Sequence, residues 1–213
     1  MSMTFLASFA ARAFCVFAIL LSACASSNEE LTNKDAAAYF GLVDGSLHVF
    51  EDAQGLREEH QFSLKESTPE GEVYLRLVTR NGFVQDEGSM SFLANIDGLF
   101  ASEFYDCVIR CAKAEQPFPM LRFPIVEAEL EDNESTVNVR DGDLDYSRLE
   151  RHQFQSSRIQ TISTPRGDEE GINVAWTRTI DDSISAMSFS FVPNVGLVKK
   201  TGADAVDFVR LDD

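Results

Sequence analysis

The chain has 213 residues, with 35 acidic against 18 basic side chains and a formal charge of −17. So acidic a chain repels nucleic acid and anionic lipid headgroups, and no basic cluster overrides that field. Its length is enough for one sizeable core, or two small ones sharing a sheet.

The first predicted element is an export signal. Met1 to Arg12 is a short leader, Ala13 to Ala23 is apolar, and Leu21-Ser22-Ala23-Cys24 closes the run. A charged start, an apolar core and a small-residue end are the parts of a secretory signal. The core is shorter than the roughly 20 residues a membrane-spanning helix needs. Leu21-Ser22-Ala23-Cys24 resembles the bacterial lipoprotein box. That resemblance implies cleavage before Cys24 and lipidation of its sulfur, hence a membrane partner through acyl chains. Ala25 stands where an inner-membrane retention signal has Asp, which favours the outer membrane within the cell envelope. The expected organisation is a signal at 1–23, then a polar tether over 24–37 that follows lipidated Cys24.

The rest reads as β. Short alternating runs are separated by turn residues. "SLHVF", "REEHQFSLK" and "VYLRLVT" come first, and Asn81-Gly82 suits a tight turn. "SMSFLA" and "LFASEF" flank Asp97-Gly98. "STVNV", "HQFQSSRIQTI", "INVAWTRTI", "ISAMSFSFV", "LVKK" and "AVDFVRL" follow. This predicts a mainly β fold with little helix: antiparallel meanders in two related halves, 38–115 and 125–213, forming a curved sheet, barrel or sandwich. "LTNKDAAAYF" can hold one short helical turn. "SEFYDCVIRCAKAE" reads as an amphipathic helix or an irregular loop. The three prolines of "QPFPMLRFP", residues 116–124, point to a connector between the halves.

The halves echo each other weakly: "FGLVDGSL" at 40–47 lies on "FPIVEAEL" at 123–130. Three segments also resemble a group of small bacterial envelope β proteins. "YFGLVDGSLHVF", 39–50, is similar to their "YFPL-x-x-G-x-x-W-x-Y" opening. "PMLRFPIVEAEL", 119–130, is similar to "LPLPL-x-x-G", and "FSFVPNVGLVKKTG", 189–202, to the closing "W-x-A-P-G-V-G-L-V-K". Gly41 replaces a proline, His48 and Phe50 replace Trp and Tyr, and Ala128 replaces a glycine. The resemblance implies an antiparallel fold of two related halves and no catalytic signature.

Candidate chemistry is sparse. Cys107 and Cys111 are a candidate disulfide in an oxidising compartment; bridging them requires a turn, since Cα atoms must come within roughly 7 Å. His48, His60 and His152 sit among polar or acidic neighbours, which suggests solvent-facing positions. No zinc-type cluster accompanies them, so no metal and no cofactor are expected. Asp141, Asp143 and Asp145 begin like a calcium loop, but Tyr146 and His152 stand where glycine and glutamate belong; a charged hairpin tip fits better. Nucleophile motifs are missing, and no catalytic residue is assigned. The 17 phenylalanines can fill a core or line a cavity for an apolar ligand. The expected function is therefore a lipid-anchored envelope protein that binds a protein or envelope component. A carrier of an apolar ligand is the alternative, and a hydrolase the weakest reading.

Overall fold

A computed structural model describes residues 33–85, 89–105, 110–202 and 206–211. It contains one helix, α1 (Asn33–Tyr39), and the strands β1 (Leu47–Asp52), β2 (Arg57–Thr68), β3 (Gly71–Arg80), β4 (Phe83–Val84), β5 (Met90–Asn95), β6 (Gly98–Phe104) and β7 (Arg110–Arg122). Then come β8 (Leu130–Asp141), β9 (Leu144–Ser156), β10 (Gln160–Thr164), β11 (Gly167–Ile180), β12 (Ser183–Val192), β13 (Gly196–Thr201) and β14 (Asp207–Arg210).

Twelve of these strands form a closed ring in chain order, with β4 and β10 hydrogen-bonded beside β3 and β11. Every pairing is antiparallel. The ring closes where β14 meets β1 and where β9 meets β11 across the β10 excursion. Closure removes the sheet edges that an open meander would leave unpaired.

Strand alternation sets what faces inward. In β2, Glu58, His60 and Phe62 are buried while Arg57, Glu59 and Gln61 are exposed. In β9, Glu150, His152 and Phe154 are buried while Arg151 and Gln155 are exposed. The outer face is thus mostly charged and polar, while the inner face is aromatic and apolar with a few buried charged groups such as Glu58 and Glu150. Membrane-spanning barrels reverse this, with an apolar band outside.

The two halves are matched in their six ring strands each, with β4 and β10 outside the match. "EEHQF" in β2 returns as "ERHQF" in β9, and "MSF" at Met90–Phe92 returns at Met187–Phe189. Turns match too. Gly45, before β1, has φ 77°, and Ala128, before β8, has φ 57°; Asn81 and Asp181, after β3 and β11, have φ 54° and 49°. Each half's lead-in docks on a turn of the other half: Asn194 N–H donates to the Tyr39 carbonyl, and Phe123 N–H donates to the Asp97 carbonyl. Phe40 and Phe123, the first residues of the echoed segments, stack with centroids 5.3 Å apart. At Gly196 a Cβ would meet the Phe40 carbonyl oxygen at 2.4 Å, so this crossing needs glycine.

Ala128 stands where the similar segments carry glycine, and its left-handed φ gives the reason. A Cβ in that conformation is strained. Ala128→Gly should raise stability by roughly 1 kcal/mol, read as a higher urea midpoint; an unchanged or lower midpoint would refute the strain.

Three expectations are corrected. The tether does not run to residue 37: α1 begins at Asn33, and Ala36 and Ala37 are buried against the barrel. The stretch 116–124 is not a connector, because β7 runs through it to Arg122. Its prolines are tolerated because β7 pairs with β8 only from Arg110 to Ala114, while Phe118, Pro119, Leu121 and Arg122 pair with β6 alone. A strand bonded on one side has no use for the missing N–H on the other. Finally, the described parts of "SEFYDCVIRCAKAE" are strand, in β6 and β7, rather than helix.

Candidate functional site: two buried glutamate–histidine pairs

The matched "E-x-H" segments put a glutamate and a histidine, two residues apart, on the inner face of β2 and of β9. His60 and His152 are both 0% exposed. The expectation that they face solvent is therefore overturned. Their polar sequence neighbours occupy the outer face, and the period of two carries each histidine inward with its phenylalanine. His48 is half-buried beside Phe62.

The β9 pair is clamped by arginines. Arg178 donates from Nε and Nη2 to the two Glu150 oxygens at 2.7 and 2.8 Å, and Arg148 Nε donates to Oε1 at 2.7 Å. Burial alone would raise the Glu150 pKa, but the hydrogen bonds from His152, Arg178 and Arg148 outweigh it and hold the carboxyl at about 2.

His152 has a defined protonation state. Trp176 Nε1–H can only donate, and it lies 3.1 Å from His152 Nδ1, which must accept. The proton then sits on Nε2, which donates to Glu150 Oε2 at 2.9 Å. His152 is neutral, and burial, reinforced by Arg178, pushes its pKa down. Phe118 stacks on its ring at 3.9 Å.

The β2 pair repeats the plan with different cations. Lys200 Nζ donates to Glu58 Oε2 at 2.6 Å, Arg80 Nη2 to Oε1 at 2.5 Å, and His60 Nε2 lies 3.2 Å from Oε2. Burial opposes ionisation of Glu58, yet the hydrogen bonds and the Lys200 charge hold its carboxyl well below the usual carboxylate range. Burial pushes His60 down to about 3, with Arg76 and Lys200 adding to the effect. His60 stacks on Phe50 at 4.2 Å, and its Nδ1 has no hydrogen-bond partner. Arg76, buried deeper, lies over Phe92 and Phe189.

These networks are fitted between aromatic rings. Phe104, Phe154 and Phe189 all pack against Trp176, with centroids 5.7 to 6.2 Å apart. Phenylalanines thus fill this part of the barrel. A 360 Å³ surface cavity is lined by Lys65, Glu103, Lys113, Val73, Leu93 and neighbours, with no phenylalanine among them.

Of the residues singled out in the sequence, Cys24 and Cys107 lie outside the described residues. Cys111 is the second residue of β7 and is disulfide-bonded. Asp141 ends β8 and Asp145 lies in β9, either side of a hairpin turn. Among the described residues, no group of three or more His, Cys, Asp or Glu could hold a metal ion. The glutamate–histidine pairs are not among the candidate residues read from the sequence; the signal that marks them is the "EEHQF"/"ERHQF" recurrence.

This architecture defines a class: a closed, internally duplicated antiparallel barrel with aromatic rings and ion networks in its interior. No protein-family model matches the chain, and no curated protein matches it. Among solved structures it is similar to a candidate lipoprotein from Parabacteroides distasonis, at 16% identity and TM-score 0.46, covering 81% of this chain and 95% of that one. It is also similar to a candidate exported protein with a YmcC-like fold from Bacteroides fragilis, at 11% identity and TM-score 0.47, covering 81% and 96%.

Proposed function

We propose that the chain is a lipid-anchored protein of the bacterial envelope that binds a protein or envelope component through the outside of its barrel, without catalysis. The carrying observation is how the apolar side chains are distributed. Ring stacking occupies the interior around Trp176, while the three most exposed large apolar side chains stand on the rim opposite α1. Antiparallel order places the β3–β4, β8–β9 and β11–β12 turns at that far rim. Phe83, Leu144 and Ile184 project there at 75%, 67% and 72% exposure. Anchoring would come from Cys24, with the outer membrane as its site.

Native and denaturing mass spectrometry of the chain, purified gently from its own envelope, tests this. The reading requires a bare chain apart from the Cys24 acyl groups, and a crosslinked partner that Phe83→Ser with Ile184→Ser releases. An added mass that disappears on denaturation would support an apolar-ligand carrier instead. The denatured mass also tests a Cys107–Cys111 bridge, which removes about two mass units relative to the thiols.

A further inference from the structure

The far mouth of the barrel is cationic inside, in a chain that is acidic overall. Arg80, Arg110, Arg148, Arg178 and Lys200 face inward near that end, from β3, β7, β9, β11 and β13. Among the described residues, the inward carboxylates there are Glu58, Glu150 and Asp52, and Asp52 is turned to the amides of Gln54 and Leu56.

The imbalance is sharpest around Tyr105, which is buried. The Arg110 guanidinium lies 4.5 Å from the Tyr105 ring centroid, and that of Arg178 lies 5.6 Å from it. Arg178 Nη1 is 3.4 Å from the phenol oxygen, and Arg148 hydrogen-bonds the same residue. Glu150 already serves both Arg148 and Arg178. Beyond the Tyr105 ring, Arg110 meets Asp141 among the described residues, through a 3.4 Å ion pair at Nε that is not aligned as a hydrogen bond. The three side chains are 34%, 16% and 11% exposed for Arg110, Arg148 and Arg178, so solvent reaches them.

We infer that this mouth is a binding site for a small oxyanion, a carboxylate or phosphate group, bounded by Tyr105, Arg110, Arg148 and Arg178. A guanidinium offers a planar fork of donors that suits such a group, and a partly dry cationic mouth concentrates anions. Arg110, held by a single loose ion pair to Asp141, supplies the fork. Arg148 and Arg178, fixed by Glu150, supply a preorganised positive wall. Asp141 competes for Arg110 from outside. The inference stands on the described interior alone and does not depend on the anchor or the partner.

The test is a thermal melt of the purified chain in sodium phosphate, sodium acetate or sodium chloride at matched ionic strength, followed by the fluorescence of Trp176. At tens of millimolar, phosphate or acetate should raise the midpoint by about 3 °C over chloride. The two arms separate a phosphate preference from a carboxylate one. Arg110→Gln should remove the rise, and Asp141→Asn should enlarge it. Arg151→Gln, which deletes the same charge from the outer face of β9, should leave it intact. Equal midpoints in all three salts, or a rise that survives Arg110→Gln, would overturn the site.

Discussion

Replacing Glu150 with Gln should cost the fold about 3–5 kcal/mol, among the largest effects of any single substitution in this chain. The physical reason is what remains. Arg148 and Arg178 are both directed at Glu150 and are mostly buried. Without the carboxylate, two mostly buried guanidiniums face each other with no counter-charge between them, and His152 Nε2–H keeps only a weaker amide acceptor. A like-for-like control lies one residue away. Arg151 pairs with Asp132 on the outer face, where solvent screens the interaction. Asp132→Asn should therefore leave stability nearly unchanged. Urea unfolding of both variants reads the difference. Equal midpoints for the two would mean that the interior network contributes no more than a surface pair.

Acid should destabilise the barrel well before ordinary carboxylates protonate. The sign follows from His60 and His152, whose folded pKa values both lie below the unfolded value of about 6.5. Below that pH the unfolded chain takes up protons that the folded chain refuses. Stability is thus fully present above pH ~6.5 and falls as pH falls, down to about 3 for His60. Between pH 7 and 5, a histidine that stays neutral contributes a loss of about 2 kcal/mol. His60 meets that condition, and His152 adds in the same direction. The depressed carboxyls act with the same sign at lower pH: their contribution is present above about 4.5 and is lost as pH falls toward the Glu150 value of about 2. Urea midpoints at pH 7, 6 and 5 check this. His60→Gln, which keeps an N–H toward Glu58, should flatten the slope in that range. A wild-type midpoint that does not change between pH 7 and 5 would contradict buried neutral histidines.

How much of this was legible beforehand differs element by element. Alternation in "REEHQFSLK" and "INVAWTRTI" located β2 and β11, because one buried face imposes a period of two on the sequence. It did not reveal which polar residues were inside. The chain neighbours of His60 and His152 suggest solvent, whereas burial follows the residues two positions away. The pairing of "EEHQF" with "ERHQF" would have corrected that, since an outer-face histidine has no reason to return with the same glutamate and phenylalanine. The second half of β7 was hidden by Pro117 and Pro119, whose exclusion from sheets fails where only one neighbour is bonded. Part of β9 was hidden too, because "LDYSRLER" carries charges on a hairpin that extends past β11. Closure was not legible: β1 meeting β14, and β9 meeting β11, are contacts between distant segments that no local pattern encodes. The two halves were visible only as an eight-residue echo, and the matched left-handed turns at Gly45 and Ala128 now give that echo a structural basis.

The central claim is that the barrel's interior is organised by two glutamate–histidine pairs held neutral at the imidazole and charged at the carboxylate. Long-range ¹⁵N–¹H NMR of the histidine side chains at pH 7 tests it most directly. The geometry requires His60 and His152 to appear at pH 7 as neutral rings protonated on Nε2, with no proton on Nδ1, and His60 to keep that pattern at pH 5. An imidazolium pattern for either ring at pH 7, or a proton on Nδ1 of His152, would contradict the account.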